Sequence, residues 1–394
     1  MSGISAIDRA QLAEGLAELG ADGWLLFDFH GLNPVAGRVL ALGGLGSRRL
    51  FVLIPRTGAP TAVAHKIELQ PMEGFPGTIV PYARWEELHA ALGPLVKGKT
   101  LAMEVSPRDA VPYLDRIPHG VIQLLEGLGA KIVSSDQLVT RFAARWSAAE
   151  LADHLAAAEV LADVAKEQLA WAVTQGGKGL TESALQRRTV AAMEARGLRL
   201  TTHPIVGFGP NAANPHYEPH EGQDRTLAPD EVVLLDLWGG RGRVDTVFAD
   251  QTWMGFSGRR VPSKVQQVWE VVRDARDAAV ALVQERVAAG KPLAGYEVDR
   301  AARGVIERAG FGASFVHRTG HSIDRDLHGS GPHMDDFETH DERRLIPGVG
   351  FSVEPGVYLV GEFGIRSEVN MFWGESGARV TPTAPQRDLI LPGA

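Results

Sequence analysis

The acids in the second half of the chain come in two evenly spaced pairs: Asp236 and Asp250 are fourteen positions apart, and so are Glu354 and Glu368. Each pair lies on two successive strand-like runs, EVVLLDLW with TVFADQTWMGF and GFSVEPGVYLV with FGIRSEVNMFW. Two helical stretches precede each set of runs, at about 148–174 and 182–197, then at about 263–289 and 296–309. A unit of helix, helix, strand, strand is thus repeated, which predicts two halves related by a pseudo-twofold with the four carboxylates converging at its axis. Asp236 ends the apolar run Val232 to Leu235, where a charged side chain is costly unless something stabilises it. In the last run, alternation puts Ile365, Ser367, Val369 and Met371 on one face and Arg366, Glu368 and Asn370 on the other. Four buried carboxylates repel one another unless cations bind among them.

Imidazole is concentrated in the same region. HRTGHSIDRDLHG, residues 317–329, holds three of the chain's 13 histidines, His317, His321 and His328. The chain has no cysteine, so a metal here has only imidazole and carboxylate as ligands, a hard to borderline set that suits Mn, Co, Fe or Zn. Two such ions roughly 3.5 to 4 Å apart form a known hydrolytic device. Other suggestive strings fail on their own terms. HRTGH has the spacing of a zincin helix but lacks the glutamate after its first histidine, and Gly320 weakens a helix there. GFGPNA imitates a dinucleotide fingerprint, yet Pro215 soon blocks the required helix. GGKGLT lacks the upstream glycine of a P-loop. The acidic run MDDFETHDE (334–342) reads as a solvated loop rather than a second metal site.

The first 145 residues have a different texture. Strand-like runs WLLFDF, LFVLIP, TAVAH, KTLAMEV and KIVSS alternate with helical stretches, which predicts a small α/β domain. A long Ala-rich helix with Ser147 as its N-cap then opens the second domain, so the boundary is placed near 145. Within the first domain, FDFHGLNP (27–34) carries a turn signal and a lone His30, read as structural. The formal charge of −8 over 394 residues offers no electrostatic reason to approach nucleic acid or anionic lipid. No apolar run is long enough to span a bilayer and the N-terminus lacks a signal-peptide pattern, so a cytoplasmic location is expected.

Five separated motifs, taken in order, resemble the pita-bread metallopeptidases, the family that includes prolidase, aminopeptidase P, methionine aminopeptidase and the metal-free creatinases. They are NPHY at 214–217, Asp236 with Asp250, the three-histidine cluster, VEPG at Glu354, and GIRSE ending at Glu368. The resemblance implies an α/β (α+β) protein with a creatinase/prolidase-like N-terminal domain (1–145) and a pita-bread catalytic domain (146–394). It implies two divalent ions, with manganese foremost and cobalt, zinc or iron as alternatives. Asp236 would hold one ion, His321 and Glu354 the other, and Asp250 and Glu368 both. Glu354 would carry the proton from the attacking water to the leaving nitrogen. His216, His317 and His328 would hold the scissile carbonyl and its oxyanion, and Arg366 would meet the substrate's C-terminal carboxylate or pair with Glu368 or Asp236.

One departure stands out. The family usually spaces its two aspartates by eleven residues, but position 247 here is Val. ADQTW nevertheless resembles the second-aspartate strand, so GGRGRVD is read as a hairpin lengthened by three residues, with Asp245 as the competing ligand. The implied activity is that of a homodimeric Xaa-Pro dipeptidase acting on small peptides with proline second. Aminopeptidase P is the alternative, and a creatinase-like hydrolase or a non-catalytic binding relative is further off.

Overall fold

The computed structural model describes residues 3–43, 46–242 and 246–393, so Asp245 lies outside the described residues. Its backbone divides into two units, Met1–Ala143 and Ala144–Ala394.

The first unit is built on a mixed sheet of six strands: β1 (Gly23–Asp28), β2 (Leu50–Pro55), β3 (Thr61–His65), β4 (Thr78–Tyr82), β5 (Thr100–Met103) and β6 (Lys131–Ser134), in spatial order β4-β3-β2-β1-β5-β6. Five helices accompany it: α1 (Arg9–Glu18), α2 (Pro34–Leu40), α3 (Trp85–Val96), α4 (His119–Gly127) and α5 (Asp136–Phe142). Alternate residues of the central strand serve two cores. Trp24 and Leu26 pack into one cluster with Leu12, Leu16 and Leu138, while Leu25 and Phe27 pack into another with Leu88, Leu92 and Leu125. A sheet covered on both faces explains why its strands read as nearly unbroken apolar runs. The FDFHGLNP turn is tied down by Asp28, which accepts from the backbone N–H groups of Gly31 and Asn33, and by Asn33, which caps α2. His30 itself is exposed and takes a left-handed φ of 61°.

The second unit shows the repeated order. α6 (Ala148–Ala172) and α7 (Glu182–Ala195) have 25 and 14 residues, and α8 (Ser263–Ala288) and α9 (Gly295–Arg308) have 26 and 14. Ser147 does cap α6: its hydroxyl accepts from the Glu150 N–H while the Glu150 carboxylate accepts from the Ser147 N–H, an arrangement worth about 1 kcal/mol. Between α7 and α8 lie β7 (Leu198–Arg199), β8 (Ile205–Phe208), β9 (Val232–Arg241) and β10 (Ala249–Phe256), with β9 pairing all three others. After α9 come β11 (Ser322–Ile323), β12 (Gly350–Val353), β13 (Gly356–Leu359), β14 (Phe363–Arg366), β15 (Val369–Gly374) and β16 (Gly377–Thr381). These form a sheet β11-β12-β15-β16 and a separate hairpin β13-β14. The two long runs expected after α9 are therefore each broken, at Glu354-Pro355 and at Ser367-Glu368. Proline lacks the N–H for a ladder bond, and both acids sit where the hairpin steps from one sheet to the other.

The β9/β10 pair divides its faces as the alternation requires. Val233, Leu235, Leu237 and Trp253 enter a core with α6 and α7, while Val232, Leu234, Met254 and Phe256 enter one with α8 and α9. Asp236 and Asp250 share the second face.

One buried histidine of this scaffold makes acid sensitivity predictable. His154 of α6 is 1% exposed; its Nδ1 donates to the Phe248 carbonyl and its Nε2 accepts from the Thr381 hydroxyl. Burial pushes its pKa from 6.5 down to about 4. The unfolded chain therefore binds this proton first, and the stabilisation present above pH 6.5 is lost as pH falls towards 4. The expected loss is about 3 kcal/mol. Urea unfolding of the wild type and His154→Gln at both pH values isolates it, and equal pH slopes in the two proteins would refute it.

Candidate metal centre

The register of β9 and β10 brings the first two acids together. Asp236 pairs with Thr252 and Asp250 with Trp238, so the two aspartates are diagonal neighbours on one face, the separation at which side chains of adjacent strands meet. Of the GGRGRVD stretch, Gly239, Gly240 and Arg241 belong to β9, and residues 243–245 lie outside the described residues. From the other half, Asn370 accepts from the Asp250 N–H at 2.9 Å, and Thr252 donates to Glu368 at 2.9 Å. Ligand atoms of Asp250, His321 and Glu368 all lie within 4.8 Å of one another, and all three residues are buried. Glu354 joins through His321, whose Nε2 is 3.3 Å from Glu354 Oε1 and 3.5 Å from Asp250 Oδ2.

These contacts are not hydrogen bonds. His321 Nδ1 faces the Ser322 carbonyl at 3.1 Å, so it carries the proton and Nε2 presents a lone pair to two carboxylates. Burial, then Arg318, holds the imidazole neutral by pushing its pKa to about 3. Asp236 Oδ1, Asp250 Oδ1 and Glu368 Oε1 are also buried and accept no hydrogen bond among the described residues. Burial and mutual repulsion raise Asp250 and Glu368 well above the usual carboxylate range, and burial raises Asp236 and Glu354 against the pull of Arg366. Lone pairs converging from both halves, with no proton donor among them, are the donor set a divalent cation needs.

The histidine cluster is not helical. Gly320 makes a bridge with Met334, and a Cβ on it would lie 2.1 Å from the Ser352 carbonyl oxygen. Glycine is required there so that His321 can lie against β12, where its N–H donates to the Ser352 hydroxyl at 2.9 Å. His328 stacks obliquely on His321 with ring centroids 4.1 Å apart, and that neighbour, then burial, lowers its pKa to about 2. His216 is exposed, on a segment whose Asn214 side chain accepts from the His216 N–H.

Two expected residues behave differently. His317 has both ring nitrogens engaged: Nδ1 donates to the Arg318 carbonyl and Nε2 accepts from the Tyr358 hydroxyl, each at 2.7 Å. It has no donor left for an oxyanion. Arg366 is 2% exposed and each of its three nitrogens donates within the protein. Nε meets Thr252 at 2.9 Å, one terminal nitrogen meets Asp236 at 2.5 Å, and the other meets Tyr358 and the Pro215 carbonyl at 3.2 Å. This departs from the expectation of a carboxylate anchor and matches the alternative of pairing with Asp236. Thr252 and Tyr358, which complete the network, were not singled out in the sequence because a lone hydroxyl on a strand makes no pattern. The run 334–342 is a further correction. Asp335 and Asp341 are fully buried, the first accepting from the N–H groups of Phe337, Glu338 and Thr339 and the second paired with Arg343.

Four buried carboxylates and one unprotonated imidazole nitrogen, drawn from strands and loops that follow two successive helix pairs, are a donor set of the kind that hydrolytic metal centres use. Residues 152–373, more than half of the chain, match metallopeptidase family M24, and the chain belongs to that family. It is 27% identical to the probable dipeptidase PepE of Mycobacterium tuberculosis over 350 residues, 88% of this chain and 86% of that protein. It is 31% identical to an Xaa-Pro dipeptidase of Lactobacillus delbrueckii subsp. lactis over 211 residues, 52% of each chain. Its pita-bread fold is shared with the crystal structure of dipeptidase PepE from Mycobacterium ulcerans, with a TM-score of 0.76, 23% identity and 99% of both chains covered. Among the described residues, no helix is long and apolar enough to cross a membrane.

Proposed function

We propose that this metallopeptidase is a dinuclear Xaa-Pro dipeptidase of the prolidase type. The observation that carries the metal reading is that buried Asp236 Oδ1, Asp250 Oδ1 and Glu368 Oε1 accept no hydrogen bond among the described residues, while His321 Nε2 turns its lone pair to Asp250 and Glu354. Asp236 would hold one ion, His321 and Glu354 the other, and Asp250 and Glu368 both; manganese is the cation proposed. When bound, such ions acidify a water to near neutral pKa and polarise the scissile carbonyl.

The chain's own groups do the rest. The Glu354 side chain is 16% exposed, against 7% for Asp250, and so has the readiest access to water among these two. It takes the proton of the attacking water and delivers it to the leaving nitrogen. His216 and His328, both exposed, face the scissile carbonyl and donate to its developing oxyanion. His317 acts at one remove, holding the Tyr358 hydroxyl that also receives Arg366. The dipeptide preference is supported by the dipeptidases to which the chain is similar, and a homodimer is the assembly proposed.

Hydrolysis of Ala-Pro and Ala-Pro-Ala by manganese-loaded protein, with a chelated control, tests this reading. Metal-dependent cleavage of Ala-Pro alone is the expected result. Cleavage of the tripeptide instead would make the enzyme an aminopeptidase P, and cleavage of neither would overturn proline specificity.

A further inference from the structure

The segment that carries His216 has little regular structure to hold it. From Asn214 to Leu227 the chain forms turns and a single bridge, Thr181 to Thr226, and no strand or helix. His216 is exposed, so packing does not fix its ring. Its two neighbours are nevertheless anchored. On one side the Pro215 carbonyl receives Arg366 at 3.2 Å. On the other, the Tyr217 hydroxyl donates to Glu182 at 2.7 Å.

Glu182 begins α7 and is 0% exposed. Besides Tyr217 it accepts from the Phe208 N–H at 2.7 Å, from the Asn211 amide at 3.0 and 3.1 Å, and from the Arg225 N–H at 2.9 Å. Every donor comes from the stretch 208–225, which runs from the end of β8 past His216. Burial raises the Glu182 pKa and these donors oppose that rise; a neutral replacement would set a proton or an amide against some of them. None of its partners is a candidate metal ligand.

We propose that Glu182 is a positioning residue for the reaction: from the start of α7 it gathers the 208–225 stretch so that His216 is presented to the scissile carbonyl at a fixed distance. The inference rests on the reading of His216 given above. α9 provides a comparable device for His317, since Arg303 donates to the Phe315 and His317 carbonyls while Asp299 accepts from the Thr319 N–H. The second helix of each pair thus clamps a histidine-bearing segment, by different residues in the two halves.

The test is a double-mutant cycle of Glu182→Gln with His216→Ala in the metal-loaded enzyme, on the peptide it hydrolyses fastest, with metal stoichiometry and affinity measured by calorimetry on each variant. A displacement on the order of 1 Å at a catalytic group costs about 100-fold, so Glu182→Gln is expected to lower kcat/KM by about 100-fold with metal binding unchanged. In the His216→Ala background the same substitution is expected to cost less than about 3-fold, because the group it positions is gone. Tyr217→Phe removes only the hydroxyl beside His216, and serves if Glu182→Gln does not fold. It is expected to lower kcat/KM about 10-fold alone and to have no effect beside His216→Ala. If His216→Ala costs activity and either second substitution costs as much again on top, the positioning role is overturned while the role of His216 stands. Loss of metal binding in the folded Glu182→Gln or Tyr217→Phe protein overturns it as well. If His216→Ala leaves kcat/KM unchanged, the reading of His216 fails and this inference falls with it.

Discussion

Asp250→Asn is expected to stabilise the chelated protein while removing most of the stability that metal confers. In the metal-free state Asp250 is buried beside Asp236, Glu354 and Glu368, and burial, then repulsion from Asp236 and Glu354, raises its pKa well above that of a solvated aspartate. An isosteric neutral amide relieves that repulsion, by about 1 to 3 kcal/mol on the scale of buried charge effects. That gain corresponds to a rise of about 2 to 4 °C in Tm per kcal/mol. With metal present the sign reverses. A ligand at a thousand times its Kd stabilises a fold by about 4 kcal/mol, and a cradle lacking Asp250 forgoes most of this. Activity should fall by more than the roughly 100-fold typical for losing a group that merely supports a ligand. Thermal unfolding with EDTA and with excess manganese reads both signs in one experiment. An undiminished metal-dependent gain in Tm would remove Asp250 from the cradle and return Asp245 to consideration.

The second large effect concerns Arg366. As the buried partner of Asp236, Thr252 and Tyr358, it cannot be truncated without leaving the Asp236 carboxylate without its cation and the two hydroxyl oxygens without the donor they accept from. Arg366→Met is expected to cost about 3 to 5 kcal/mol, the usual result of breaking a buried pair from one side. Without the guanidinium, Asp236 takes up a proton more readily in the folded state than in the unfolded chain. The loss should therefore grow as pH rises from 6 to 8, because the relieving proton becomes scarcer. An arginine that only anchors a substrate carboxylate would behave otherwise: unfolding would be unchanged and KM would rise for the free dipeptide but not for its amide. Urea unfolding in chelator and the two KM values separate these outcomes.

The comparison of sequence and structure divides along physical lines. α6 to α9 were legible to within a few residues because long helices carry a period, and Ser147 and Thr181 mark where α6 and α7 begin. In the first unit β4 was passed over: its five residues include Pro81 and its burial is partial, so it offers neither alternation nor a continuous apolar run. α3 contains Pro94, and α5 has only 7 residues. The acids and His321 could be named because the ligands of a metal must be of a few types and must recur in a fixed order. Their supports could not. Thr252, Tyr358, Glu182 and Asn370 act through contacts to residues 8 to 120 positions away, and nothing local distinguishes them from ordinary strand or helix residues. The buried acids of the 334–342 run were misread for a related reason. A carboxylate that caps its own turn from inside looks, in one dimension, like one that faces water.

The bonds that assemble the metal centre also dictate when it can exist. Arg366 reaches Asp236 across 130 residues, Asn370 reaches Asp250 across 120, and Thr252 reaches Glu368 across 116. A nascent chain that has just completed α8 owns two aspartates of the cradle and neither glutamate, histidine nor arginine. Contacts this distant in sequence close late, after the loop entropy between them has been overcome. An ion held by all of these groups would thus require that both halves have been synthesised, folded and docked.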